Sequence, residues 1–314
     1  MSQMELPRLP ACNSLQHLFR VEQYELEFMY TSSYKRHPGT KLSTGAITRE
    51  RTFPVLDRKC LLVTGVATRD SIATAVAEQA ILAGAEVLVA AYPRDVAAAE
   101  AVVATFSKTP EVVAVDATSE DDLIALEANL LQRWGHLDGV LHAIAFAPQA
   151  ALNGVMDVPA TDVEIAMRAS VWTYARFGRL LRHLAPPSGA SLVGLDFDSA
   201  RTWPVYNWMG PCKAALRSLN GYLARDLGAM RVRANLVAAG PLRTRASSGI
   251  PDFEVLVDNW DRQAPLAWDP ADASAVADAV CFLLSDYARS ITGEVLHVDG
   301  GFHAMATHLN QLSN

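Results

Sequence analysis

Tyr206 and Lys213 are the pair in this sequence best suited to chemistry. They lie seven positions apart, two turns of an α-helix, so both side chains can face one side. A tyrosine hydroxyl near a lysine ammonium can hydrogen-bond a carbonyl oxygen as negative charge develops on it. The lysine can also hold the ribose of a nicotinamide cofactor. A half-buried tyrosine beside a lysine whose stem covers apolar surface fits the same spacing. Composition favours the chemical reading. Of 27 basic residues only five are lysines, Lys35, Lys41, Lys59, Lys108 and Lys213, so Lys213 stands alone after Lys108. It also follows an apolar run, 191–195, that reads as a buried strand.

Three other turns can hold part of a dinucleotide. Thr64-Gly65-Val66-Ala67-Thr68-Arg69-Asp70-Ser71-Ile72-Ala73 follows an apolar run but keeps one glycine of the usual three, so the fingerprint fails as a pattern. Ser71 can still offer a hydroxyl and a backbone N–H at the positive end of a helix. An ordinary strand-to-helix connection fits as well. Tyr92-Pro93-Arg94 closes a second run without the acid that often holds the adenosine ribose. There Tyr92 can stack on adenine and Arg94 can attract a 2′-phosphate, or both are ordinary surface residues. Asp116 closes a third run and can accept from the adenine amino group or cap the next helix.

These residues need a frame to bring them together. Candidate strands are 59–65, 86–92, 112–115, 139–145, 191–195, 233–237 and 294–298. Helical spacing fits 71–84, 94–106, 119–134, 162–184, 205–228 and 271–285. Strands apolar on both faces, each followed by a helix, predict a parallel sheet covered on both sides. The fold class is therefore α/β, a doubly wound parallel sheet of Rossmann type. It forms a single domain over 58–306, with an N-terminal extension at 1–57 and a tail at 307–314.

The extension carries Tyr24, Tyr30 and Tyr34, a loosely alternating run at 21–28, and a polar stretch at 32–52. It reads as an ordered arm against an oligomer partner, or as a leader outside the folded protein. It has neither the apolar core of a secretory signal nor the acid-poor composition of a transit peptide. The chain is 50% hydrophobic and 19% charged, which excludes intrinsic disorder. No apolar run is long enough for a membrane span. A net charge of −7 argues against a generic nucleic-acid binder. Cys12, Cys60, Cys212 and Cys281 are scattered without metal-ligand spacing, so no metal site is expected and free thiols in a reducing, cytoplasmic setting are.

Beyond these patterns, the sequence from Arg58 to Ala306 resembles the enoyl-acyl-carrier-protein reductases, a divergent branch of the short-chain dehydrogenase/reductase superfamily. The specific pieces are Asp196-Phe197-Asp198, Tyr206-Asn207-Trp208-Met209 with Lys213, and Asn235 through Pro241 with Arg243-Thr244. Ser285-Asp286, Thr292-Gly293-Glu294 through Asp299-Gly300-Gly301, and the single-glycine turn to Ser71-Ile72-Ala73 also match. Ordinary members of the superfamily use tyrosine-x3-lysine and a serine where Phe197 stands; this chain has x6.

The resemblance implies hydride transfer from NADH to the β-carbon of a trans-2-enoyl thioester on acyl carrier protein or coenzyme A, followed by protonation at the α-carbon. NADPH stays open, since Tyr92 favours NADH and Arg94 permits the phosphate. By the same match Tyr206 stabilises the enolate oxygen, Lys213 binds ribose hydroxyls, Phe197 packs near nicotinamide and substrate, and Met209 lines the acyl pocket. The cofactor site comprises Gly65, Ser71, Ile72 and Tyr92, then Asp116, Ala117, Ile144 and Ala145, and finally Gly240, Pro241, Leu242 and Thr244, with Lys213. The assembly implied is a homotetramer.

Several departures stand out. His142-Ala143-Ile144-Ala145 replaces His-Ser-Ile-Gly, removing a serine linked to the cofactor through water and narrowing the space beside the ring. Pro211 lies between Tyr206 and Lys213, and costs about 3 kcal/mol if the helix already runs through Tyr206. In the first turn it costs nothing, and that placement or a local kink is expected. The segment 245–259 looks like a compact loop, shorter than in relatives acting on very long chains, which predicts short to medium acyl chains. Arg243 and Arg245 are candidates for docking an acidic carrier, while Arg231 and Arg233 fall on the far side. Two alternatives are a catalytically weak nucleotide-binding paralogue or scaffold, and a carbonyl reductase of the same superfamily.

Overall fold

The computed structural model describes residues 55–307. The extension through residue 54 and the end of the tail lie outside the described residues. Among the described residues there are seven strands: β1 (Cys60–Thr64), β2 (Glu86–Ala91), β3 (Glu111–Ala114), β4 (Gly139–His142), β5 (Ala190–Asp196), β6 (Val232–Ala239) and β7 (Val295–Val298). All pair in parallel, in the order β3-β2-β1-β4-β5-β6-β7. The chain starts in the middle, works outward to β3, then crosses back to β4. The doubly wound fold expected from the sequence is therefore present, with its topological switch between β1 and β4.

Strand residues alternate between two apolar layers. Leu61 and Val63 of β1, with Val87 and Val89 of β2, join α1 (Ile72–Leu82) on one face. Leu62 and Leu88 join the opposite face. Two further helices, α2 (Val96–Val103) and α3 (Glu120–Trp134), flank β3 in sequence. Beyond them come α4 (Gln149–Asn153), α5 (Ala160–Met167), α6 (Thr173–Leu184), α7 (Met209–Leu227), α8 (Phe253–Gln263) and α9 (Ser274–Leu284). Leu123, Tyr174, Phe177 and Leu216 place α3, α6 and α7 on the second face, while Val276 and Val280 place α9 beside α1. Period-two burial on both faces is why the strands read as continuous apolar runs. Leu56 is fully buried and its N–H donates to Ala83, so packing begins ahead of the expected boundary at Arg58.

Three elements differ from expectation. The helix predicted over 205–228 begins only at Met209, because Asn207 adopts a left-handed conformation (φ 42°). The helix predicted over 162–184 is α5 and α6 joined by a π turn, Arg168–Trp172. There the Ser170 hydroxyl accepts from Phe146 N (3.0 Å) and donates to Phe146 O (3.1 Å), fixing the loop after β4. Finally, α8 replaces part of the loop expected over 245–259. No helix among the described residues is long and apolar enough to cross a membrane. Cys60, Cys212 and Cys281 are free and buried.

At the amino ends of the strands, Asp138 accepts from Cys60 N (2.8 Å) and lies 3.2 Å from His136 Nε2. Arg233 donates there to Leu283 O (2.7 Å) and Ser285 O (3.0 Å), closing the end of α9, a structural role on the side away from the carboxyl edge.

Candidate active site

The predicted site residues share one edge of the sheet. Gly65, Tyr92, Asp116, Ile144, Phe197 and Gly240 each lie just past the carboxyl end of a strand, β1 to β6. Ser71, Ile72, Ala117, Ala145, Pro241, Leu242 and Thr244 continue the same turns. This is the edge where doubly wound sheets bind ligands.

The turn after β1 rests on one glycine. Gly65 has φ 85°, and a Cβ there would lie 2.2 Å from the Ala143 carbonyl oxygen. Only glycine permits both the conformation and the approach. Thr64 stitches the same junction: its hydroxyl donates to Leu141 O (2.9 Å) and accepts from Ala143 N (3.0 Å).

Ser71 caps α1, its Oγ accepting from Thr74 N at 3.1 Å. Thr74 Oγ1 donates to Thr68 O (2.7 Å), so the Ser71 hydroxyl spends its proton on Thr74 Oγ1 (2.8 Å). Its N–H donates to Thr68 O. The groups expected to meet a phosphate are thus turned inward. In their place α1 presents the N–H groups of Ile72 and Ala73, which a first helical turn leaves without intrahelical partners. Asp116 is not the cap of α3: its Oδ1 accepts from Thr118 N (2.8 Å), and Ser119 caps the helix.

Tyr206 and Lys213 are placed by separate elements and not by two turns of one helix. Tyr206 precedes α7, in a turn where its N–H donates to Trp203 O and its carbonyl accepts from Met209 N. The left-handed Asn207 is held by its Nδ2 donating to Leu152 O (2.6 Å). Trp208 N and Nε1 donate to Ala151 O and Val155 O, so the turn is anchored on α4. Pro211 is the third residue of α7 and falls in the first turn, the placement expected, where it clashes with no preceding helical carbonyl.

Lys213 is buried, with Nζ donating to Leu195 O at 2.7 Å. Burial lowers its pKa, and the nearby Asp196 carboxylate opposes that. Burial raises the Tyr206 phenol, and Asp196 adds to the rise. The phenol therefore stays protonated and is a neutral hydrogen-bond donor. Asp196, the last residue of β5, accepts from Ser199 Oγ (3.0 Å).

Tyr206 also packs against two apolar walls. One holds Met209, Cys212, Ala151 and Val171. The other holds Phe197, Leu256, Trp260 and Phe302. The Phe197 ring lies 5.0 Å from Tyr206, 5.1 Å from Trp203 and 5.6 Å from Trp260. A reacting group beside the phenol meets hydrocarbon on both sides.

Three buried polar atoms at this edge have no partner: Thr68 Oγ1, Asp196 Oδ1 and Trp260 Nε1. Unpaired buried polar groups are rare, so these suit a polar ligand along the edge, as a dinucleotide is. A cavity of about 390 Å³ lies between Thr68 and Asp70 on one bank and Thr244, Ser247 and Phe253 on the other. Tyr92 is 47% exposed, open to stacking. The arginines expected to dock a carrier are already paired: Arg243 with Glu254 (2.7 Å) and Arg245 with Asp95 (2.9 Å).

Sequence reasoning gave no role to Asp196, His142, Trp203 or Trp260. For Asp196 the available signal was an acid at the end of an apolar run. The tryptophans carried none, since their contacts join segments distant in sequence.

A single-glycine β1–α1 turn, a buried lysine and a tyrosine thus lie at the carboxyl edge of a doubly wound sheet, where such folds bind dinucleotides. Comparison with known proteins narrows this. A family described as "Enoyl-(Acyl carrier protein) reductase" matches residues 65–303. The enoyl-[acyl-carrier-protein] reductase [NADH] of Mycolicibacterium smegmatis is 37% identical over 262 residues, covering 79% of this chain and 97% of that protein. The corresponding enzyme of Aquifex aeolicus is 35% identical, covering 80% and 93%. That of Escherichia coli is 34% identical, covering 82% and 98%. The chain belongs to the enoyl-acyl-carrier-protein reductase family.

Proposed function

We propose that this protein reduces the trans-2 double bond of an enoyl thioester, carried by acyl carrier protein or coenzyme A, in fatty-acid or related acyl-chain biosynthesis. One observation carries the reading: the Tyr206 phenol lies between two apolar walls, and Lys213 is buried with its ammonium on the end of β5. NADH, when bound, supplies the hydride. Ile72 and Ala73 N–H would face its pyrophosphate, and Lys213 its nicotinamide ribose. Thr244, Gly240, Pro241, Leu242, Ile144 and Ala145 would border the nicotinamide end, and Tyr92, Asp116 and Ala117 the adenosine end.

Tyr206 donates its hydroxyl hydrogen bond to the thioester oxygen as negative charge builds there. It does so best as a neutral phenol, the state that burial and Asp196 favour. Phe197 and Met209 exclude water and hold the acyl chain. At the end of β5, Phe197 offers no hydroxyl to a reacting carbonyl, which weighs against carbonyl reduction. The stack of Trp260 on Phe302, 3.8 Å between centroids, closes one wall and supports short to medium chains. A cytoplasmic homotetramer is the setting this reading implies.

The test follows NADH absorbance with crotonyl and octenoyl thioesters. Wild type turns over both, and Tyr206→Phe lowers kcat on the order of 10²-fold, as expected when an oxyanion donor is removed. Turnover of 3-oxoacyl thioesters alone, or nucleotide binding without turnover, would overturn the proposal. Rates that climb as chains grow to very long lengths would sink the chain-length part.

A further inference from the structure

The turn after β2 carries conflicting signals for nucleotide choice. Folds of this kind select NADH with an acid on the adenosine ribose hydroxyls, and accept NADPH with an arginine on the 2′-phosphate. Here the strand ends without an acid, and Tyr92 and Arg94 follow. Arg94 lies over the Tyr92 ring at 5.0 Å, placing a cation at the adenosine end. A second cation arrives from the loop after β6: an Arg245 Nη donates to Asp95 Oδ1 at 2.9 Å. Asp95 Oδ2 lies 3.9 Å from Arg94 Nε. The Asp95 N–H donates to Tyr92 O (2.7 Å), folding the acid back over the strand end. Asp95 is thus an acid between two arginines, its side chain 18% exposed against 67% for Arg94 and 50% for Arg245.

We propose that Asp95 sets the preference for NADH over NADPH, replacing the acid missing from the end of β2. The inference rests on the reductase reading above. Two effects act in the same direction. The carboxylate occupies the guanidinium groups that a 2′-phosphate would need. It also sets a negative charge beside a group that would carry nearly two more. A ribose 2′-hydroxyl is uncharged and meets neither obstacle.

The test uses Asp95→Asn, which keeps shape and removes charge. Dissociation constants of NADH and NADPH are measured from tryptophan fluorescence without substrate, and kcat/KM for each nucleotide with crotonyl thioester. The expected result is a rise of about tenfold or more in relative preference for NADPH, by both measures. Adding Arg94→Ala and Arg245→Ala to Asp95→Asn should cancel the gain. A ratio unchanged within about twofold, or a gain surviving both arginine substitutions, would overturn the proposal. A structural role alone would weaken both nucleotides together and leave the ratio still. Absence of turnover with either nucleotide would refute the reductase reading instead, while the binding ratio would still decide the role of Asp95.

Discussion

His142 gives the structure its sharpest pH dependence. The residue ends β4, fully buried against the Tyr174 and Phe177 rings at 5.4 and 5.8 Å. Its Nε2 lies 2.8 Å from Thr173 Oγ1. That hydroxyl donates its own proton to Ala169 O at 2.8 Å, so it can only accept from the ring. Nε2 therefore carries a proton and donates it. Burial, helped by the Lys213 charge, pushes its pKa down from 6.5 to about 3. A depressed folded pKa means that the unfolded chain takes up the proton first. The stabilisation is complete above the unfolded value and is lost as pH falls from about 6.5 toward 3. Linkage between those values puts the loss at about 2 kcal/mol between about pH 7 and pH 5. Urea unfolding of wild type and His142→Asn over that range isolates the contribution, since carboxylates common to both proteins cancel. Wild type should lose about 2 kcal/mol more than the variant. A difference flat to within about 0.5 kcal/mol would show that His142 titrates normally in the fold, and would refute the neutral-imidazole reasoning.

Other substitutions probe the frame. Pro211→Ala should cost less than about 1 kcal/mol in urea unfolding, because the proline sits in a first turn. A stabilisation near 3 kcal/mol would mean the proline strains the helix after all. Gly65→Ala should destabilise by about 1–3 kcal/mol and weaken NADH binding, since the methyl meets the Ala143 oxygen at φ 85°; unchanged affinity would separate this turn from the cofactor. Gly240→Ala would bring a Cβ to 2.7 Å from Trp268 and 2.8 Å from Trp260. It should cost about 1–3 kcal/mol and shift tryptophan emission, and an unaltered spectrum would contradict that packing.

The layers of the fold were legible because strand burial on both faces leaves an unambiguous mark. Runs such as Cys60–Thr64 and Glu86–Ala91 contain almost no polar residue. The segment holding α8 was not legible. Glu254, Asp258 and Asp261 give it a polar face, and Asp252 before it is left-handed (φ 51°), without a cap hydrogen bond. Its apolar stripe, Leu256, Val257 and Trp260, gains its meaning only from partners such as Phe197 and Phe302, which arrive from elsewhere in the chain. The π turn in 168–172 was equally hidden, since helical spacing does not register one extra residue per turn.

The Tyr206–Lys213 pair shows where sequence periodicity reaches its limit. Two helical turns do not connect these residues; a left-handed Asn207 lies between them and α7 starts only at Met209. What relates them is the end of β5. Leu195 O takes the Lys213 ammonium, and Asp196 acts electrostatically on both residues. Asp196 favours the charged lysine and the uncharged phenol at once, because a nearby anion disfavours every further negative charge. With Phe197 next in the chain, the site lacks the hydroxyl donor that ordinary members of the superfamily place there. On the function proposed above, the burden of stabilising an oxyanion would fall on the Tyr206 phenol, which must keep its proton. On that reading, the acid at the end of β5 and the phenylalanine after it would serve one requirement together.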